Sequence, residues 1–445
     1  MPSTIAAAIS KAKAPAAPAQ HSVPGLLETA FYVFVSFYAS KALFLVIAIG
    51  PQNLQDNQVS EVDGGWLRLI WAGCYAGTLV YVWRNFEAVY QSLKGQGALC
   101  LLLGWSFITA TWSQEPAMTI QYSVIIVLCA LMGVLMGTRF SLEGVVSLLT
   151  ATLAISLTMS LLAIFLVPGW GKMPGIHAGA WCGIFIHKNG LGSAAVMGVT
   201  LFGYRASIAR GQARYVWVAL VLMSIALAIG ARSATALLVL MAVGGGAWLS
   251  GLVKLRRQDL WLAFSALLTA GFFCSWMLAS NLELFFKALG KDMTLTGRIE
   301  LWQWGFNSFL HRPIGGYGFE SFWLNTGEHG GARIRVLAGW AAPHIHNSWL
   351  QIALDVGFVG IACYVAFLTR IIKNAWYLAS QQGAFLYRTV LLLLMQTLIY
   401  SMVETMLYKR NAATFIMLVA LSVALTREAN EMRAAERVEH GARDY

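Results

Sequence analysis

Charge is what this sequence has least of. Only 11% of its 445 residues are Asp, Glu, Lys or Arg, against about 25% in soluble domains, which excludes an ordinary water-soluble fold. Acidic residues are the scarcer sign, 20 against 31 basic ones. That surplus is spread through short loops and builds neither a groove nor an arginine-rich arm, so nucleic acid is not expected as a partner. A disulfide framework is missing too: Cys74, Cys100, Cys129, Cys274 and Cys363 sit inside apolar runs and only Cys182 falls in a loop. The His-x-His pair of His344 and His346 has no third ligand at a recognisable spacing, so neither a metal nor another cofactor is expected.

What the chain has in abundance is hydrocarbon, with 58% hydrophobic residues and a mean hydropathy of +0.64. A bilayer core about 30 Å thick needs roughly 20 mainly apolar residues per helical span. Such runs recur near 29–50, 66–83, 97–113, 118–137, 144–167, 190–207, 215–230, 234–252, 261–286, 347–369, 385–404 and 411–426. The expectation is an all-α, polytopic membrane protein of about twelve transmembrane helices. Unpaired backbone groups in lipid cost several kcal/mol each, and a β-barrel would show alternation instead.

Five segments follow. Residues 1–25 read as a disordered cytosolic tail, because the apolar stretch 5–9 is shorter than the roughly 7–15 residues of a signal-peptide core. Residues 26–286 hold spans one to nine, 287–346 form one large polar loop, 347–427 hold spans ten to twelve, and 428–445 form a second cytosolic tail. Lys and Arg gather in alternate connections, at Arg84 and Lys94, Arg139, Arg205 to Arg214, Lys254 to Arg257, and Arg370 and Lys373, while 51–65 and 112–117 carry none. The bias of these residues toward the cytoplasm puts both termini inside and the large loop outside, in the periplasm of a bacterium whose inner membrane the chain would cross.

The two long outward loops, 168–189 and 288–346, contain six of the eight histidines. Within the second, Ile299, Trp302, Phe306, Phe309 and Leu310 recur at helical spacing, so a short amphipathic helix over 297–310 is expected at the membrane surface. Arg298 would fall in its first turn, where the helix dipole disfavours a cation by some 0.3–1 kcal/mol. A bound phosphate would reverse that sign; an arginine snorkelling to lipid headgroups fits the spacing equally well. The run Gly315, Gly316, Tyr317, Gly318, Phe319 combines turn-forming glycines with flat rings suited to sugars, although an interfacial aromatic belt gives the same composition.

His344 and His346 precede a span beginning at Asn347, and a histidine near neutrality can serve as general base toward a hydroxyl. Asp355, nine residues on and about 13 Å along the helix, faces away from His346 and is expected to hold a neighbouring helix. Arg232 stands at a tight outer turn, where an arginine wedged between apolar helices is expensive unless an anion meets it or it snorkels to the interface. Glu28, Lys41 and Arg68 also fall in or near apolar runs.

Taken in order, His187-Lys188-Asn189-Gly190-Leu191-Gly192, Gly230-Ala231-Arg232-Ser233, Thr296-Gly297-Arg298 with Trp302, Gly316-Tyr317-Gly318-Phe319, and His344-Ile345-His346-Asn347 followed by Leu350 and Gly357 resemble the O-antigen ligase and polysaccharide polymerase superfamily, and within it the exopolysaccharide polymerases of the succinoglycan type. The resemblance covers roughly residues 180–365. It implies a metal-independent, inverting membrane glycosyltransferase that moves a glycan from undecaprenyl pyrophosphate to a lipid-linked repeat. Arg232 and Arg298 then match arginines that hold the pyrophosphate, His346 matches the histidine that activates the acceptor, and Lys188 matches a further basic position. His344, Asn347 and Tyr317 join them as substrate-binding candidates. Membrane lipid and proteins of chain-length control and export would be partners. Two other readings stay open: a ligase that transfers the glycan to another acceptor, and a flippase or transporter that moves the lipid-linked sugar without chemistry.

Overall fold

The computed structural model describes residues 24–49, 65–252, 296–340, 342–382 and 385–443. The predicted N-terminal tail up to residue 23 and the predicted ninth span, 261–286, lie outside them. Among the described residues there is no strand, only an isolated bridge between Lys172 and Trp181, and the chain is an all-α polytopic bundle.

Fifteen α-helices of six residues or more carry the description. They are α1 (Leu26–Ala39), α2 (Phe44–Ile49), α3 (Gly65–Arg84), α4 (Phe86–Lys94), α5 (Gly97–Ile108), α6 (Pro116–Arg139), α7 (Leu142–Leu166), α8 (Lys188–Ile208), α9 (Gln212–Gly230), α10 (Ala234–Leu252), α11 (Thr296–His311), α12 (Gly331–Ala338), α13 (Ser348–Gln382), α14 (Phe385–Ser401) and α15 (Ala413–Arg443). Among these, α6, α7, α9, α13 and α15 are long and apolar enough to cross a membrane. The expected amphipathic helix is present as α11, with Arg298 in its first turn.

Helix ends follow local chemistry. Pro116 opens α6, where its missing N–H is no loss. Ser141 caps α7 by accepting from the Gly144 amide. At the far end of α6, Arg427 donates to the carbonyls of Gly137, Thr138 and Phe140, which a helix terminus otherwise leaves unpaired. The same end of the bundle holds the Arg139–Glu28 pair at 2.8 Å, so Glu28 serves helix packing.

The helices α6 and α15 cross in close contact. A Cβ at Gly133 would lie 2.6 Å from the Ile416 carbonyl oxygen, and one at Gly137 would lie 2.5 Å from that of Ala420. Four residues apart, the two glycines form one helix face that lets backbones approach to contact, the small-xxx-small device of membrane helices.

Two predicted spans are interrupted. The first breaks between α1 and α2, where Lys41 and Leu43 take left-handed backbone angles of 59° and 52° and the Leu43 amide bonds to Ile184 O at 2.7 Å. The tenth breaks at Gly357, with φ 67° and ψ −167°. There the loop segment around Pro313 docks into the gap: the amides of Tyr317 and Gly318 donate to Leu354 O and Asp355 O, while Pro313 O and Ile314 O accept from Phe358 and Val359. Irregular backbone in a membrane bundle survives only when protein satisfies it. Close approach explains the glycines of this run, since a Cβ on Gly316 would meet the Asp355 backbone at 2.7 Å. Asp355 itself accepts both 3.1 Å bonds from Gln351 Nε2, and Gln351 Oε1 accepts from the Ile345 amide.

Candidate functional site

Opposite the Arg139–Glu28 end, the loop 402–412 between α14 and α15 brings one carboxylate, Glu404, into the middle of the sequence motifs. Ser348 at the start of α13 fixes that loop: its hydroxyl donates to Glu404 O at 2.7 Å and accepts from the amides of Met406 and Leu407. Asn347 caps α13 by accepting from Trp349 N and Leu350 N, and its amide group donates to Met402 O.

Four motif segments then meet through Glu404. Oε1 accepts from Asn189 Nδ2 at 2.9 Å and pairs with Arg298 Nη2 at 3.3 Å. Oε2 lies 3.4 Å from His346 Nδ1. Asn189 in turn accepts from the Ser233 hydroxyl at 3.0 Å, and Arg298 Nη1 donates to Val403 O at 3.0 Å. Segments more than two hundred residues apart in sequence thus converge on one side chain.

His346 is only 8% exposed and sits at φ 53°, a left-handed conformation that costs a non-glycine residue on the order of 1–3 kcal/mol and collects at functional sites. The strain is held by neighbours: Trp302 Nε1 donates to Ile345 O at 2.9 Å, tying α11 to the His-x-His turn. The His346 amide donates to His344 Nδ1 at 3.3 Å, so a neutral His344 ring carries its proton on Nε2.

Burial would by itself raise the Glu404 carboxyl, but the hydrogen bond from His346 and the charge of Arg298 outweigh it and hold the group well below the ordinary carboxylate range. Burial pushes the other two histidines the opposite way. His187, which caps α8 by accepting from the Asn189 amide, falls to about 4. His344 falls well below its ordinary value, through burial first and then the charge of His346. The site is therefore an ionised carboxylate between a guanidinium and an imidazole.

Arg298, His344, His346 and Glu404 line one cavity of about 1000 Å³, with His187 and Asn189 on the same wall. Arg232 does not line it; it is exposed on the turn after α9, at φ 48°, and its neighbour Ser233 supplies the link to Asn189. Lys188 is also outside, 3.2 Å from His177 Nδ1. Tyr317 is buried in the loop core, where its hydroxyl donates to Ser308 O at 2.8 Å and Arg312 covers its ring. The structure therefore brings Arg298, His344 and His346 together, keeps Asn347 behind them as a helix cap, and sets Arg232, Lys188 and Tyr317 apart.

Glu404 is the residue that sequence reasoning passed over. It ends an apolar run, and the expectation applied to Asp355, that such a carboxylate ties in another segment, describes Glu404 better, since Asp355 accepts from Gln351 of its own helix. It also supplies the third ligand atom missing from the His-x-His pair: His344, His346 and Glu404 each offer one within 4.8 Å of the others, a trio able to hold a metal ion.

Residues 218–365 match the family model described as O-Antigen ligase. Among curated proteins, the exopolysaccharide production protein ExoQ of Rhizobium meliloti is 27% identical over 284 residues, covering 61% of this chain and 62% of that protein. The chain thus resembles O-antigen ligases and polysaccharide polymerases. A putative polysaccharide ligase of Rickettsia prowazekii is 31% identical over 90 residues, 20% of this chain and 22% of its own, so both alignments span less than two thirds of the relative. The matched segment takes in Arg232, Arg298, Tyr317 and His344 to Asn347, while Asn189 and Glu404 lie beyond its two ends.

Proposed function

We propose that the protein is an exopolysaccharide polymerase that transfers a glycan from undecaprenyl pyrophosphate to the terminal hydroxyl of a lipid-linked repeat, at the periplasmic face of a bacterial inner membrane with both termini in the cytoplasm. The observation that carries this reading is the Arg298–Glu404–His346 array on one cavity wall. The matched family and the exopolysaccharide relative support the reaction class.

In this reading His346 takes the proton of the acceptor hydroxyl on Nε2, the nitrogen turned from Glu404. The oxygen attacks the anomeric carbon, the bond from that carbon to the diphosphate breaks, and the diphosphate leaves with the electron pair. One displacement inverts the anomeric centre. Glu404 accepts from Nδ1–H, which keeps the base nitrogen in the reactive tautomer and stabilises the imidazolium that forms. Arg298 meets the negative charge growing on the leaving group, with a fork suited to two oxygens at once. Because the diphosphate is already a stable anion, no protein acid is needed to protonate it, and the cationic stabilisation it requires is assigned to arginine. Arg232 is assigned to the diphosphate on its motif match alone, as an outer contact reached once substrate enters; Lys188, His344, Asn347 and Tyr317 support substrate through the loops they fix.

The test gives purified protein lipid-linked repeats in the presence and absence of a chelator and measures product length. A ladder of chelator-insensitive products is expected. Transfer of one glycan to a foreign acceptor would favour the ligase reading, for which the matched family's description speaks; no new bond would reject both.

A further inference from the structure

Three side chains on the cavity wall suit a cation larger than a proton. His344, His346 and Glu404 each offer one ligand atom, and the three atoms lie within 4.8 Å of one another. Zinc holds imidazole nitrogen and carboxylate oxygen at about 2.0–2.2 Å, so two such ligands at a tetrahedral angle stand about 3.3–3.5 Å apart. His346 Nδ1 and Glu404 Oε2 stand 3.4 Å apart. That is long for a charge-assisted hydrogen bond, which runs about 2.7–2.9 Å, and it matches one edge of a zinc tetrahedron. The His344 and His346 rings are 4.1 Å apart between centroids. The His344 Nδ1 lone pair is engaged by the His346 amide at 3.3 Å, a long bond that a metal ion can replace as the ring turns.

The groups behind these ligands are in place as well. Glu404 Oε1 accepts from Asn189 at 2.9 Å, which fixes the carboxylate with Oε2 toward His346. Ser348 holds the Glu404 carbonyl, and Trp302 holds the Ile345 carbonyl inside the His-x-His turn. Such outer partners orient metal ligands and are worth about 10–100-fold in affinity. All three ligands line the cavity of about 1000 Å³, which gives an ion a path in and leaves room for water as the fourth ligand. Two nitrogens and one oxygen favour Zn2+ over Mg2+, which prefers oxygen alone. Arg298, 3.3 Å from Oε1, opposes a second cation, so the expected affinity is moderate, with a Kd of about 1 μM.

We propose that His344, His346 Nδ1 and Glu404 Oε2 form a zinc site whose occupation switches the enzyme off. The ion takes the lone pair of Nδ1, and the ring proton that Nδ1 donates to Glu404 moves to Nε2. The ring stays neutral and no proton is gained or lost, but Nε2 no longer has a lone pair for the acceptor hydroxyl. Zinc and the catalytic proton therefore compete for one position between His346 and Glu404. The binding rests on geometry alone, whereas the inhibition rests on the transferase reading above and deepens it by naming a regulator of the same site.

The experiment uses the full chain, purified in detergent and freed of metal. Calorimetric titration with Zn2+ should show one saturable ion per chain, and Mg2+ should show none. Glu404→Gln and His344→Ala should each weaken zinc binding by about a hundredfold or more. His344→Cys returns a zinc ligand and should keep the affinity within about tenfold of wild type, which separates loss of a ligand from loss of the fold. Co2+ in place of Zn2+ should give wild type the visible absorption of a four-coordinate site, and Glu404→Gln should lose it. On wild type, Zn2+ should halve turnover at the concentration that half-fills the site, and a chelator should restore it. No saturable binding by wild type, or binding that survives both Glu404→Gln and His344→Ala, would overturn the site. A filled site with full turnover would overturn the inhibition and the role of His346 as base. No new bond from the zinc-free protein would reject the transferase reading and the inhibition with it, while the titration still decides the site.

Discussion

His346 Nδ1 lies 3.4 Å from Glu404 Oε2, and the other oxygen of that carboxylate lies 3.3 Å from Arg298 Nη2. One side chain therefore orients the imidazole and the guanidinium together, and its charge is kept by the two groups it serves. The geometry is that of an imidazole oriented by a half-buried carboxylate, with the second oxygen turned to Arg298.

Glu404→Gln keeps the shape and one acceptor oxygen but removes the charge. Turnover should drop by about a hundredfold or more, and the pH–rate profile should change, because the imidazolium loses its counter-ion. A merely structural Glu404 would alter protein yield and leave the profile of the remaining activity where it was.

Arg298→Lys retains a charge and loses the fork. Activity should fall by about tenfold or more, and Arg298→Ala should fall further, while Arg232→Ala, outside the cavity wall, should act mainly on donor KM. Steady-state kinetics separate the two positions; equal losses in kcat would place Arg232 at the reacting diphosphate as well.

The His187 ring is held at about 4, against an ordinary 6.5. Between those values the unfolded chain takes up a proton that the folded chain refuses. Stability is therefore fully present above about pH 6.5 and is lost as pH falls toward 4; His344, also held down, adds in the same direction. Melting curves in detergent should show this fall, and His187→Asn, which keeps an acceptor for the α8 cap, should flatten it. A variant curve parallel to wild type would remove His187 from the account.

Gly133→Val and Gly137→Val should each weaken the α6–α15 crossing by about 1–3 kcal/mol or more, since the new Cβ atoms would press on the backbones of Ile416 and Ala420. Thermal unfolding of the purified variants measures it, and an unchanged melting temperature would contradict the close contact.

The sequence by itself determined the solvent and the helical class. Scarce charge and recurrent apolar runs leave helices as the only economical way to satisfy backbone in lipid, and the amphipathic spacing of α11 was readable because helical periodicity is local. Arg298 and His346 stood out as candidates in the sequence, but spacing alone left Arg298 equally fit to snorkel to lipid headgroups, and the family resemblance supplied the roles expected of both.

Only the tertiary structure decided what those groups face. Glu404 lies 58 residues beyond His346 and 106 beyond Arg298 in sequence, a separation at which no periodicity survives, and it reaches them because the α14–α15 loop is fixed by Ser348. The glycines beside Tyr317 looked like a sugar platform from composition, but they fit there because a broken helix at Gly357 must have its carbonyls and amides satisfied by another segment. The placing of Arg232 outside the cavity and of Lys41 and Arg68 within it was equally beyond linear spacing. Which cations share a cavity depends on how helices cross, and that is set by contacts between residues hundreds of positions apart.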